Sequence, residues 1–357
     1  MWYFLAGTIA FLSAYLATPY VIAAAINLEI VTDKKKRKHP AHTHRGIVPR
    51  AGGVAIYLGL LISSLIFLRS FPLIVGILIA SGLLVILGVL DDYYDLSPYS
   101  RFIGNILISS LVVGFGLRIP YISNPFGGIV HLDTMKASFS LFGLHVGITA
   151  GDILAVLWLT WTTNMINWSK GVDGQLPGFV GIAALFLGFL ALQFTALDIT
   201  TTTVATFSFI VAGAFFGFLP FNFYPQRIMP GYGGGGVAGF LLGVLAILSF
   251  GKLGTALLIL SVPMMDAIYT ILRRLRNKKS PFRADWGHFH HRLLEIGWGR
   301  RRIAVFYWVV TCILGIASLF LKGIEKAVAF VAVAFVLIAF IVIIDQLKKQ
   351  DIISTAN

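Results

Sequence analysis

The sequence predicts an all-α polytopic membrane protein of about eleven transmembrane helices, with its N-terminus outside and its C-terminus cytoplasmic. Three observations predict it. Hydrophobic residues make up 57% of the 357 and charged residues 12%, with a mean hydropathy of +0.86, which leaves too few polar side chains to cover a water-soluble globule. The apolar residues fall in runs close to the roughly 20 residues that a helix needs to cross a hydrocarbon core. Finally, 22 of the 28 Lys and Arg lie in alternate gaps between those runs, and short loops rich in Lys and Arg mark the cytoplasmic side. A net charge of +13 would otherwise point to nucleic acid, but that requires basic residues gathered on one soluble face. Here they are dispersed, so a lipid bilayer is the expected partner and nucleic acid is not. The single cysteine, Cys312, excludes a disulfide framework and a thiolate metal site.

The runs follow one another in order. The first, 3–27, is too long for the core of a cleavable signal peptide and ends in no small-residue cleavage site. Runs at 51–68 and 73–90 follow, the second stopped by Asp91, and then one at 101–118. The only sizeable external loop is 119–149, where alternation around Asn124, Pro125 and the glycines at 127 and 128 predicts a small hairpin capping the outer face. Beyond it lie 150–167, 178–194 and 200–219. The run 236–250 is short and glycine-rich, as expected of a helix that is tilted, broken or buried in the bundle. Next, 253–272 carries an ionisable residue, Asp266, and 303–321 and 325–346 complete the series. No repeat of 20–50 residues and no long loop divides the chain, so residues 1–357 are expected to form one integral membrane domain.

On this topology nearly all the unusual polar residues face inside. Asp91, Asp92 and Asp95 are spaced to ligate a hard divalent cation jointly, magnesium being the natural one; the alternative is a solvated helix cap. The stretch Asn164-Met165-Ile166-Asn167-Trp168-Ser169-Lys170-Gly171-Val172-Asp173-Gly174 reads either as a polar-ligand loop or as a turn built from Asn, Asp and Gly. Gly231-Tyr232-Gly233-Gly234-Gly235-Gly236 precedes an apolar run, where exposed amides make an anion site and small residues equally allow close helix packing. His288-Phe289-His290-His291-Arg292 suits phosphate binding or proton transfer, with zinc as the rival reading. The basic run Arg273–Lys279 reads as an anchor to lipid headgroups. Asp266, in a membrane helix, is expected to face the protein interior opposite a partner that the sequence does not name.

Four stretches together resemble one family across nearly the whole chain: His44-Arg45-Gly46-Ile47-Val48-Pro49-Arg50-Ala51-Gly52-Gly53, Asp91-Asp92-Tyr93-Tyr94-Asp95, Asn164 to Gly174, and His288-Phe289-His290-His291-Arg292-Leu293-Leu294. Pro225 to Gly236 matches the family's glycine-rich loop in position, and Pro263, Asp266 and Arg273 match its penultimate inside-going helix. These segments resemble the polyprenyl-phosphate N-acetylhexosamine-1-phosphate transferases, of the glycosyltransferase family 4 type. The form of the histidine motif is nearer the undecaprenyl-phosphate N-acetylglucosamine-1-phosphate transferase branch than the phospho-MurNAc-pentapeptide translocase branch.

The resemblance implies transfer of a sugar-1-phosphate from a UDP-sugar such as UDP-N-acetylglucosamine to polyprenyl phosphate, a lipid carrier, with release of UMP. Such a reaction serves cell-wall and polysaccharide biosynthesis at the cytoplasmic face of the cell membrane, by a single chain or a homodimer. It implies Mg2+ held by Asp91 and Asp92, and a catalytic set of Asp91, Asp92, Lys170, His288 and His290. Substrate would be bound by Arg50, Asn164, Asn167, Gly171, Asp173, Gly231, Tyr232, Gly233, His291 and Arg292. Two positions depart from the family pattern, because Lys170 and Tyr232 stand where aspartates are usual. The pair changes the local formal charge from −2 to +1, and each such Coulomb term is worth on the order of kcal/mol even when screened. Two readings stand beside the transferase: a catalytically altered relative acting as a lipid- or nucleotide-sugar-binding scaffold, and a polar-lipid transporter, against which the lack of an inverted repeat counts.

Overall fold

A computed structural model describes residues 2–32, 47–124, 127–141, 144–194, 200–249, 253–281 and 286–356. His44, Arg45 and Gly46 of the first motif lie outside the described residues. Helix α1 (Trp2–Asn27) leads into β1 (Val31–Thr32), which pairs antiparallel with β2 (Val48–Pro49), Val31 opposite Pro49. Helices α2 (Gly52–Phe67), α3 (Pro72–Tyr94) and α4 (Pro98–Gly114) follow. Beyond α4 the expected single hairpin is two. Strand β3 (Tyr121–Ser123) pairs with β4 (Ile129–His131), and β5 (Lys136–Leu141) with β6 (Leu144–Thr149). The chain continues through α5 (Ala150–Trp168), α6 (Gln175–Leu192), α7 (Thr200–Asn222), α8 (Gly231–Leu248), α9 (Leu253–Ile259), α10 (Ser261–Arg276), α11 (Phe289–Glu295), α12 (Arg300–Phe320) and α13 (Ile324–Ala356).

Each expected apolar run overlaps a helix, except that the run 253–272 is divided between two. Among the described residues, α1, α3, α6, α7, α8, α12 and α13 are each long and apolar enough to cross a membrane, and α9 with α10 makes an eighth if that bent pair counts as one span. Helix α2 is apolar but has only 16 residues, while α4 and α5 bury Asn105, Ser109, Thr160, Thr162 and Thr163 among their apolar side chains. The run expected at 253–272 is not one straight helix, since α9 and α10 meet at 81°. Proline lacks an amide hydrogen and fits a helix's first turn without losing a backbone bond, which is where Pro263 stands in the helix that starts at Ser261.

Local chemistry sets several other ends. Thr149 and Asp152 form a reciprocal cap at the start of α5, satisfying amides that the helix itself leaves open. Ser97 caps α4 by accepting from the Ser100 amide. Asp95 ends α3 in the left-handed conformation, φ 55°, and is exposed. It terminates the helix and does not join Asp91 and Asp92, contrary to the triple-carboxylate reading.

Helix α8 begins at Gly231, earlier than its apolar run, and all its residues through Ile247 are buried. Its glycines let backbones meet without intervening side chains, the way membrane helices approach closely. A Cβ on Gly53 of α2 would overlap the Gly234 backbone, one on Gly88 of α3 the Gly233 backbone, and one on Gly239 of α8 the Thr162 carbonyl of α5. Gly88→Ala is therefore expected to overpack the α3–α8 contact at a cost of about 1–3 kcal/mol, read as a lower melting temperature in detergent. Gly114→Ala, whose Cβ meets nothing within 4 Å, is expected to leave that temperature unchanged.

Candidate active site

Helices α3 and α5 end where α2 and α8 begin, and the polar cluster occupies that end of the bundle. Asp91 and Asp92, in the last turn of α3, are both buried. One oxygen of Asp92 pairs with Arg50 Nη2 at 2.7 Å, and the other accepts the Tyr232 amide at 3.1 Å. Arg50 follows β2 and is fixed there because its own amide donates to the Ile30 carbonyl. Asp91 Oδ2 pairs with Arg101 Nη1 of α4 at 3.3 Å, while Asp91 Oδ1 has no hydrogen-bond partner among the described residues.

The glycine at 231 is required by geometry. Its φ is +68°, and a Cβ there would overlap the Arg50 carbonyl and the Asp92 carboxylate; glycine alone takes such a conformation at little cost. The turn aims the Tyr232 amide at Asp92. It also presents the Gly231 carbonyl to Lys170 Nζ, which donates to it at 2.6 Å. The Tyr232 ring lies 5.7 Å from that ammonium and 5.3 Å from the Arg101 guanidinium, within reach of cation–π attraction. Asn105 of α4 donates to the Tyr232 hydroxyl at 3.0 Å and to Asn164 Oδ1 at 3.3 Å. Burial pushes the Lys170 ammonium down to about 8, against the upward pull of Asp92.

The segment 164–174 connects this cluster to the histidines. Asn167 is packed so closely to Gly235 that a Cβ on the glycine would overlap its amide oxygen, and that oxygen has no hydrogen-bond partner among the described residues. A Cβ on Gly171 would overlap the His290 imidazole. Asp173 turns elsewhere: its Oδ2 accepts from the Gln226 amide at 3.2 Å and lies 3.6 Å from Arg300. Gly174 accepts from Trp308 Nε1 and donates to Asn222 Oδ1. Asp173, expected to line a nucleotide pocket, thus ties the segment to the α7–α8 connection and to α12, and Gly233 is taken up by the α3 contact.

The partner of Asp266 is the histidine segment. Asp266 Oδ2 lies 3.1 Å from His288 Nδ1, and Oδ1 accepts the Phe289 amide at 2.7 Å. One buried carboxylate of α10 therefore starts α11 and orients His288. The rings of His288 and His290 are nearly parallel at 5.8 Å, His291 stacks on Trp286 at 4.0 Å, and Trp168 approaches His288 at 6.4 Å. Arg292, expected on phosphate, instead pairs with Asp345 of α13, lies 5.3 Å from the Tyr269 ring and donates to the Gly287 carbonyl. Within the run read as a headgroup anchor, Arg274 is buried and donates to the Pro281 carbonyl.

His290 is buried, with Nδ1 lacking a hydrogen-bond partner among the described residues. Burial first, then the neighbouring His291 and His288, holds its pKa well below the usual 6.5. The unfolded chain therefore binds a proton near that value which the folded chain refuses, and stability falls as pH drops through it. His290→Gln is expected to flatten this acid limb of melting temperature against pH, with little change above pH 7.

Asp91 and Asp92 do not fit an ordinary dication site. Each gives an oxygen to a separate arginine, Lys170 adds a third cation, and among the described residues no three His, Cys, Asp or Glu side chains converge as a metal cluster. Sequence reasoning missed Asn105, whose polarity inside an apolar run was the available signal. Asp345, an ionisable residue inside the run 325–346, offered the same signal, and Trp286 carried none.

Comparison with known proteins gives this arrangement its family. The model of glycosyl transferase family 4 matches residues 74–250. A decaprenyl-phosphate N-acetylglucosaminephosphotransferase of Mycobacterium tuberculosis is 31% identical over 346 residues, covering 88% of this chain and 81% of that protein. A probable undecaprenyl-phosphate N-acetylglucosaminyl 1-phosphate transferase of Bacillus subtilis is 28% identical over 321 residues, 88% and 83% of the two chains. A phospho-N-acetylmuramoyl-pentapeptide-transferase of Caldicellulosiruptor bescii is 28% identical over 330 residues, 89% and 98% of the two, and is the weaker match. The chain belongs to glycosyltransferase family 4, and within it stands nearer the polyprenyl-phosphate N-acetylglucosamine-1-phosphate transferases than the phospho-N-acetylmuramoyl-pentapeptide transferases.

Proposed function

We propose that the protein transfers N-acetylhexosamine-1-phosphate from a UDP-sugar to polyprenyl phosphate with release of UMP, at the cytoplasmic face of the cell membrane, for envelope polysaccharide synthesis. The relatives' names supply the carrier and the sugar-phosphate class. The observation that carries the reading is the gathering of Arg50, Asp91, Asp92, Arg101 and Lys170, joined through residues 164–174 to His288 and His290, at one end of a bundle of apolar helices. A lipid tail lies beside the helices while its phosphate meets these groups. The concentration of Lys and Arg in the loops on this side supports a cytoplasmic orientation, and in this reading α2, α4, α5 and the bent α9–α10 pair complete eleven spans.

In the reaction an oxygen of the lipid phosphate attacks the donor's β-phosphorus; the new P–O bond forms as the bond from that phosphorus to the α–β bridging oxygen breaks, and UMP leaves with that oxygen. Little covalent help is needed, so positioning and charge neutralisation do most of the catalysis. Arg50, Arg101 and Lys170 supply positive charge, Asp91 Oδ1 accepts a proton from a lipid phosphate arriving as the monoanion, and His288, oriented by Asp266, faces the phosphates.

Purified protein given UDP-N-acetylglucosamine and polyprenyl phosphate is expected to release UMP only when both are present. The arginine-paired carboxylates favour a second reading, a substrate-binding scaffold. Lipid binding without UMP from any UDP-N-acetylhexosamine would establish it and overturn the transferase.

A further inference from the structure

We infer that Arg50, Arg101 and Lys170 bind the pyrophosphate of a nucleotide donor directly, with no divalent cation between protein and ligand. The order of charges from the surface inward carries this. Arg50 and Arg101 have side chains 21% and 28% exposed, whereas the carboxylates they pair with are 2% exposed each. Lys170 is likewise only partly buried. A ligand arriving from water meets three cations before either aspartate.

A dication needs converging oxygens with negative charge to spare. Here Asp92 is engaged by Arg50 and by the Tyr232 amide, Asp91 by Arg101, and Lys170 Nζ sits on the Gly231 carbonyl at 2.6 Å. Three cations against two carboxylates leave a positive remainder, which repels a metal ion and attracts a polyanion. The cations are also mutually placed: the Tyr232 ring lies within 5.7 Å of both Lys170 and Arg101, and Arg50 grips the carboxylate that receives the Tyr232 amide. Two guanidiniums and an ammonium around one tyrosine present the planar forks and point charge that phosphate oxygens accept.

The choice of pyrophosphate as the anion rests on the proposed reaction, and the test separates the two. Inorganic pyrophosphate is titrated calorimetrically into the purified protein in EDTA and again in excess Mg2+. The expected result is saturable binding in EDTA, no weaker than in Mg2+, with Lys170→Gln weakening it at least tenfold and Lys170→Arg retaining it. Lys170→Asp is expected to bind only in Mg2+. Binding by the natural protein that requires Mg2+, or Lys170→Gln binding as the natural protein does in EDTA, overturns the inference. Pyrophosphate bound in EDTA by a protein that releases no UMP leaves the site standing and removes the reaction. UMP release by a protein whose pyrophosphate binding requires Mg2+ leaves the reaction standing and removes the site.

Discussion

Asp92→Asn is expected to reduce UMP release about a thousandfold, the order lost when a preorganised electrostatic group is removed from an active site, and to lower the melting temperature as well. Asparagine keeps the shape and an oxygen for the Tyr232 amide, but the charge facing Arg50 at 2.7 Å is gone. Breaking a buried pair by removing one partner costs about 3–5 kcal/mol; the partial exposure of Arg50 puts this site at or below the lower end of that range. Asp91→Asn gives the contrast, because its arginine is the more exposed of the two and the contact is longer, 3.3 Å. Its melting temperature should fall less. Initial rates of UMP release and thermal melts of the same preparations check both, and wild-type turnover in Asp92→Asn would show that Arg50 needs no carboxylate to hold it in the site.

What the sequence made legible was whatever lies in a local run. Apolar stretches near spanning length located the long helices of the bundle, because a helix satisfies its own backbone in a hydrocarbon core. Residues 231–235 hid their helix, since four glycines in five read as a loop until the neighbouring Gly53 and Gly88 are known to need that space. The break at Leu260 was concealed by continuous hydrophobicity on either side, and Pro263 was its only local mark.

At the site, residue types were legible and pairings were not. Asp266 and His288 are 22 positions apart and Asp92 and Tyr232 are 140 apart, so their union follows from the packing of α10 and α8 and from no spacing rule. Asp173 and Arg292 show the same limit. Both have the chemistry of ligand-binding groups, and both are occupied by intramolecular partners, Arg300 with Gln226 for one and Asp345 for the other.

Gly171→Ala is expected to lower UMP release at least about a hundredfold in a protein that still folds. The residue lies where the two halves of the site touch: a Cβ there would occupy the same space as the His290 imidazole. Two adjustments are open, and each displaces a working group. If segment 164–174 yields, Lys170 leaves the Gly231 carbonyl; if α11 yields, His288 leaves Asp266. A misplacement of about 1 Å is enough to cost roughly a hundredfold. The double variant Gly171→Ala with His290→Ala discriminates steric displacement from a general loss of fold, because removing the imbedded ring removes the overlap. Its melting temperature is expected to exceed the additive sum of the two single changes, the signature of residues in contact. Additive losses would show instead that Gly171 acts through its own backbone and not through the histidine.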